Sequence, residues 1–317
     1  MLTIVHLDAD TFPQGVEVPK PRIPHEWVAY PFTDPQERLE RLKNADIAVS
    51  NKVVLDRALM AQLPRLKMIA ITATGMNNVD LVAAKEFGIC VKNVAGYSST
   101  CVPEHVLGMI FALKHSLMGW YRDQLTDRWV DNKQFCYFDY PITDIRGSTL
   151  GIIGKGNLGS EVARLASAVG MNVLFAERPN IPATQCREGY SPFDKVLATA
   201  DFISLHCPLT EDTQNIINAH VLNKMKKGAF LINTGRGPLV DEHALVAALK
   251  CGQLGGAALD VMIKEPPEKG NVIMQAAKEL PNLLITPHIA WASDSAIDTL
   301  LHKVRDNIET FVKEQMA

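Results

Sequence analysis

An apolar run, Thr149-Leu-Gly-Ile-Ile, passes directly into Gly154-Lys-Gly-Asn-Leu-Gly159 and then into a helix-like segment, Ser160–Val169. Strand, spaced glycines and helix in that order constrain the fold more than any other feature. They define a strand–turn–helix unit whose helix amino terminus faces the turn, the fingerprint of a dinucleotide site. The glycines serve different ends. Gly154 permits the tight turn, Gly156 lets a pyrophosphate approach the backbone, and Gly159 lets the helix pack close to the strand. Lys155, Asn157 and Leu158 complete the loop. Eighteen residues beyond Gly159, Glu177 ends the next strand candidate, Asn172–Ala176, where a carboxylate binds a ribose 2′-hydroxyl. Arg178 beside it is of the type that accepts a 2′-phosphate, so NAD is the expected coenzyme and NADP the less favoured one.

The alternation of strand and helix occurs twice. Leu2–Leu7, Asp46–Val49, Met68–Ile71 and Ile89–Val91 read as strands, separated by helical segments at Pro35–Asn44, Asp56–Leu63 and Asp80–Phe87. A long helix begins near Val102, with Pro103 in its first turn. After Thr149 the pattern restarts, with further strands at Asn172–Ala176, Phe202–Leu205, Ala229–Asn233, Gly256–Asp260 and Leu283–Ile285. Alternation of this kind implies parallel sheets, and 317 residues exceed what one core organises. The expected architecture is α/β: two doubly wound parallel-sheet domains with a cleft between them. A final helical run, Ser293 to Glu314, carries apolar residues at Ile297, Leu300, Leu301, Val304, Ile308, Phe311 and Val312 and is expected to pack back on the first domain.

Composition narrows the partners. Lys and Arg number 32 against 35 Asp and Glu, so no broad basic face is available for nucleic acid or an anionic membrane. The six cysteines (Cys90, Cys101, Cys136, Cys186, Cys207, Cys251) contain no C-x-x-C pair and read as reduced, buried small hydrophobes rather than disulfides or metal ligands. The longest apolar stretch, Val106 to Leu113, is far short of a membrane span of about 20 residues, and Met1 to Leu7 reads as a strand rather than a leader. These features fit a cytoplasmic protein that binds no metal.

Three strand ends in the second half carry residues of catalytic type: Asn233-Thr-Gly-Arg236, Leu259-Asp260 running on to Glu265, and Thr286-Pro-His288. Doubly wound sheets bind ligands at such ends. A cation can hold a carboxylate, a histidine can exchange a proton near neutral pH, and a carboxylate on its ring can fix the tautomer. Arg236, His288 and Glu265 are those types. The bland alternatives are a surface arginine, a loop histidine and a capping aspartate at Asp260.

The words around these residues make the reading specific. Ser204-Leu-His-Cys-Pro-Leu-Thr210, Asn233-Thr-Gly-Arg-Gly-Pro-Leu-Val-Asp-Glu242, Ala258-Leu-Asp-Val-Met-Ile-Lys-Glu-Pro-Pro267 and Pro287-His288 resemble the signatures of the D-isomer-specific 2-hydroxyacid dehydrogenase family. The resemblance runs from Ala73-Thr-Gly-Met-Asn-Asn-Val-Asp80 to the last helix, with Lys155 standing where small or apolar residues are common. It implies a flavodoxin-like substrate domain, residues 1–100 plus 289–317, and a Rossmann NAD domain, residues 101–288, closing about crossings near Thr100 and Pro287.

The resemblance implies hydride transfer between NAD(H) and a small 2-keto or 2-hydroxy acid. Arg236, Glu265 and His288 would be the catalytic three. Ala73, Thr74, Gly75 and Met76, with Tyr97 and Arg236, would bind substrate. Thr100, His206, Cys207, Pro208, Thr213, Thr234, Gly235, Asp260, His288 and Ala290 would line the coenzyme. His206 is expected to act through its backbone, and His105 and His115 to be structural. Asn93-Val-Ala-Gly-Tyr97-Ser, Phe135-Cys-Tyr-Phe-Asp-Tyr-Pro141 and Pro287-His-Ile-Ala-Trp291-Ala look most like the branch acting on hydroxypyruvate and D-glycerate, and also on glyoxylate. A dehydrogenase for D-lactate or a phosphorylated acid, or an NAD-sensing binding protein, are the alternatives. The family implies a homodimer, and the aromatic stretch from Phe135 is either core or a loop reaching a partner subunit.

Overall fold

Short β-branched runs become the strands of two parallel sheets. The computed structural model describes residues 1–316, which fall into two units: Met1–Tyr97 with the chain from Ser293 onward, and Ser98–Ala292. The divisions lie three residues before and four residues after those drawn from the sequence.

The first unit holds β1 (Leu2–His6), β2 (His25–Ala29), β3 (Ile47–Ser50), β4 (Met68–Ile71) and β5 (Cys90–Lys92), with α1 (Arg38–Leu42), α2 (Arg57–Met60) and α3 (Leu81–Glu86). The order is β2-β1-β3-β4-β5, all parallel. Every residue of β3 and β4 is buried, the mark of strands covered on both faces. The helices α2 and α3 start where Asp56 and Asp80 accept hydrogen bonds from the amides of Leu59 and Ala83. Strand β2 is absent from the sequence reading. It is an edge strand, paired only with β1 and with no residue fully buried, so it has no continuous apolar run to betray it.

The second unit begins with α4 (Cys101–Lys114) and α5 (Leu117–Asp123). It continues through β6 (Thr149–Ile153), α6 (Asn157–Ala168), β7 (Asn172–Ala176), α7 (Phe193–Thr199), β8 (Phe202–Leu205), α8 (Ala219–Lys224), β9 (Ala229–Asn233), α9 (Glu242–Lys250), β10 (Leu254–Leu259), α10 (Val272–Glu279) and β11 (Leu283–Ile285). Strand order is β11-β10-β9-β8-β6-β7, and every pairing is parallel. Alternate strand residues feed two cores. Ile152, Phe202, Ile232 and Ala258 pack under α4 and α6, while Ile153, Leu205, Leu231 and Leu259 pack under α7 to α10.

The register aligns the strand ends. Ala176, Ile153, Leu205, Asn233, Leu259 and Ile285 form one row across the sheet. The chain reverses its direction of travel between β6 and β8, the switch point at which a doubly wound sheet opens a crevice. The last helix, α11 (Asp294–Met316), belongs with the first unit. All seven of its expected apolar positions are buried, and Asn307 Nδ2 donates to the carbonyl of Asn93 at 3.1 Å.

One sequence expectation is corrected here, and one open alternative is narrowed. The cysteines are free, but only Cys101 is buried; Cys251 is exposed where α9 ends, beyond the reach of the core. Of the two readings left open for the aromatic stretch, core fails for Phe135 and Phe138, which are 88% and 81% exposed on an excursion without regular structure, while Tyr137 and Tyr140 pack against Trp120.

Candidate active site

Every catalytic or coenzyme segment expected after residue 150 begins one residue past the strand-end row: Gly154, Glu177, His206, Thr234, Asp260 and Thr286. Parallel strands in register therefore deliver six separate words to one edge of the sheet.

The glycine loop follows β6. Gly154 has φ +108°, and a β-carbon there would lie 2.5 Å from the backbone of His206 and Cys207, so the two loops flanking the switch point touch. A β-carbon at Gly159 would meet the Gly154 carbonyl oxygen at 2.0 Å, which is how α6 closes on the strand. Gly156 differs. Its φ of −90° suits any residue, and a β-carbon would meet nothing within 4 Å. The fold does not need glycine there, but a phosphate approaching the amides at the start of α6 does. Thr234 Oγ1 is buried without a hydrogen-bond partner. An open glycine cradle and an orphaned hydroxyl fit a dinucleotide at this edge.

Other coenzyme-loop residues are tied into the scaffold. Thr213 Oγ1 donates to the Pro208 carbonyl and accepts from Thr210 N–H, both at 2.7 Å, closing the loop after β8. His206 Nε2 lies 2.8 Å from Ser204 Oγ, and burial pushes its ring down to about 4, so it is neutral. Burial pushes the Cys207 thiol up. Thr100 stands at the amino-terminal cap of α4. Lys155 turns its Nζ over the rings of Phe175 and Tyr190. Glu177 follows β7 directly, but the residue is 3% exposed and its carboxylate is taken up by Arg187. Arg178 is exposed.

His288 and Glu265, expected as an acid/base pair, come together on the loops after β10 and β11. His288 Nδ1 lies 2.7 Å from Glu265 Oε2, while Glu265 Oε1 accepts the Met262 amide at 2.9 Å. His288 adopts a left-handed φ of 56°. Asp260 enforces that conformation: its Oδ1 accepts from Ile289 N–H and Thr286 Oγ1, its Oδ2 from Ala290 N–H, and its carbonyl from His288 N–H. Trp291 Nε1 donates to the His288 carbonyl. Asp260, expected beside the nicotinamide, spends three of its carboxylate's about four lone-pair directions on the turn that presents His288. His105, read as structural, reaches Thr286 Oγ1 at 3.1 Å and joins this network.

Arg236 lies on the neighbouring loop. Asn233 Nδ2 donates to its carbonyl, Asn233 Oδ1 accepts the Gly235 amide, and Arg236 Nη1 donates to the Gly235 carbonyl. A β-carbon on Gly237 would stand 2.0 Å from Met262 backbone atoms, so this loop packs directly on the segment leading to Glu265. Sequence reasoning gave no role to Glu242 or Asn271. Glu242, nearly buried, accepts from Ile263 N–H and from Asn271 Nδ2 and braces that segment. Its place in the word ending at Glu242 was the available signal.

In the first unit, Ala73–Met76 follow β4 after a single residue, Thr72. The Ala73 carbonyl accepts from Val94 N–H, Thr74 Oγ1 donates to the Val94 carbonyl, and Asn93 Nδ2 donates to the Thr74 carbonyl. Gly75 and Tyr97 are half-buried. Asp8, also unanticipated, accepts the amides of Asn51 and Lys52 and fastens the end of β1 to that of β3.

Among the described residues no cluster of three or more His, Cys, Asp or Glu could hold a metal ion, and no helix is long and apolar enough to cross a membrane.

Fold and site together define a doubly wound dehydrogenase of the dinucleotide-binding type. Residues 107–290 match the family model for the D-isomer specific 2-hydroxyacid dehydrogenase, NAD binding domain, and the chain belongs to that family. It is 64% identical over 313 residues, 99% of each chain, to a Haemophilus influenzae protein named as a 2-hydroxyacid dehydrogenase. It is 47% identical to the glycerate dehydrogenase of Methylorubrum extorquens, over 98% of this chain and 96% of that one. Among solved structures, D-lactate dehydrogenase from Aquifex aeolicus, complexed with NAD and lactic acid, superposes with a TM-score of 0.80 at 27% identity, covering 99% and 96% of the two chains.

Proposed function

We propose that this chain interconverts hydroxypyruvate and D-glycerate with NAD(H), taking glyoxylate as a further substrate. The observation that carries the reading is the His288–Glu265 pair, held at 2.7 Å at the strand-end edge that also carries Arg236 and the glycine loop. Its likeness to a glycerate dehydrogenase at 47% identity supports the choice of substrate.

A reduced nicotinamide held at this edge would supply the hydride that C2 of the keto acid needs. Arg236 holds the substrate carboxylate and keto oxygen through its guanidinium fork. Because His288 Nδ1 faces Glu265, the proton given to the new alkoxide leaves from Nε2. Glu265 stabilises the charged ring and fixes its tautomer. In the oxidative direction, Nε2 takes the hydroxyl proton back.

The enzyme works as a cytoplasmic homodimer. The excursion between α5 and β6 exposes Leu125, Trp129, Val130, Phe135 and Phe138, which with Tyr121 of α5 make an apolar surface that a second copy would bury. Loss of NADH absorbance with hydroxypyruvate, glyoxylate, pyruvate and 3-phosphohydroxypyruvate tests the substrate. Hydroxypyruvate is expected to be turned over fastest; silence on all four would overturn the reading.

A further inference from the structure

A carboxylate that discriminates for NAD does so with free oxygens that accept from the ribose hydroxyl, and with a charge that repels a 2′-phosphate. Glu177 has neither to offer. Its Oε1 accepts from Arg178 N–H at 2.8 Å and Arg187 Nη2 at 2.6 Å, and its Oε2 from Arg187 N–H at 3.0 Å and Arg187 Nε at 2.8 Å. Two oxygens present about four lone-pair directions, and all are used. The Arg187 fork holds the carboxyl at about 2, so the pair is a neutralised unit at any working pH.

What remains at this corner is positive. Arg187 is half exposed, with its Cζ 4.0 Å from the centroid of the Tyr190 ring, and its Nη1 makes no hydrogen bond among the described residues. Lys155 comes from the glycine loop and places Nζ 5.2 Å from the centroid of the same ring. Arg178 stands exposed beside Glu177. Lys155 of the glycine loop and Arg187 of the 186–190 turn thus share the Tyr190 ring, and exposed Arg178 adjoins the fully engaged acid in sequence, with Glu188 exposed on the same turn.

We infer that Arg187 opens the ribose end of the coenzyme site to a 2′-phosphate, so that the chain takes NADP(H) alongside NAD(H). The phosphate meets the free Nη1 donors of Arg187 and the Lys155 and Arg178 charges, while Glu177 no longer repels it. Arg187 is the specificity-determining residue, and Glu177, which a linear reading makes the NAD selector, serves to position it. The inference rests on the dinucleotide reading above.

Calorimetric titration with 5′-ADP and 2′,5′-ADP tests it on the intact chain. The wild type is expected to bind 2′,5′-ADP within about threefold of 5′-ADP or more tightly. Arg187→Gln is expected to weaken 2′,5′-ADP by tenfold or more and to leave 5′-ADP unchanged or tighter, because Glu177 is released; the NADPH to NADH ratio of kcat/KM falls in parallel. If the single variant fails to fold with Glu177 left unpaired, the Glu177→Gln, Arg187→Gln double variant is expected to show the same loss of 2′,5′-ADP. Wild-type binding of 2′,5′-ADP tenfold weaker than 5′-ADP, or an unchanged ratio in the variants, overturns the inference and leaves the dinucleotide site standing. Binding of neither nucleotide overturns both.

Discussion

His288 and Glu265 are 23 residues apart in the chain, yet Nδ1 of one lies 2.7 Å from Oε2 of the other. Strands β10 and β11 are paired in register, and each loop leaves from the same row of the sheet. If the pair works as acid/base, His288→Ala lowers kcat by at least about two decades. Glu265→Gln keeps a hydrogen-bonding atom but removes the charge, and is expected to lower kcat by about tenfold or more with KM little changed. Steady-state kinetics with hydroxypyruvate decide it; near-normal turnover in either variant would remove that residue from the mechanism.

Gly156 and Gly159 separate binding from folding. A methyl at Gly156 meets open space at a φ any residue adopts, so Gly156→Ala is expected to melt like the wild type while losing tenfold or more in NADH affinity. A methyl at Gly159 collides with the Gly154 carbonyl oxygen, and Gly159→Ala is expected to cost about 1–3 kcal/mol of stability. Thermal melts and NADH fluorescence titrations on both variants check the contrast.

Asp260 is tested by stability and kinetics together. Asp260→Ala strands the amides of Ile289 and Ala290 and the Thr286 hydroxyl, a loss of about 1–3 kcal/mol for each donor left buried. The left-handed turn at His288 loses its restraint, so kcat falls as well. A variant that unfolds at the wild-type denaturant midpoint would show that the turn holds itself.

Acid sensitivity follows from two groups. The His206 ring titrates at about 4 in the fold and near its ordinary 6.5 when unfolded. Between those values the unfolded chain binds more protons, so this contribution is intact above 6.5 and is lost as pH falls to 4. Glu177, lowered from 4.5 to about 2, contributes stability that is intact above 4.5 and is lost as pH falls further. His206→Asn is expected to flatten the dependence of the denaturant midpoint on pH between 4 and 6.5; an unchanged slope would mean another group governs it.

Oligomerisation is tested by sedimentation. Replacing Trp129, Phe135 and Phe138 with serine is expected to shift a homodimer to monomers, since these rings are exposed in the single chain. A wild-type monomer at micromolar concentration would defeat the expectation.

The amino-acid sequence by itself determined the parallel α/β class, because strands buried on both faces must be continuous apolar runs. β3, β4, β8 and β9 could be read directly for that reason. It also determined the glycine loop and the words carrying Arg236, Glu265 and His288, since each chemistry demands particular residue types beside a strand end. Edge strand β2 escaped because an edge is half-covered and needs no such run.

Only the tertiary structure decided what the carboxylates do. Glu177 and Asp260 both stand where a linear reading assigns them to the coenzyme. Arg187 arrives from a turn ten residues on to help saturate the first, and the 286–290 turn folds back to give the second three donors. A carboxylate's partners are set by which donors the chain brings within about 3 Å, and that depends on loop paths that no local pattern encodes.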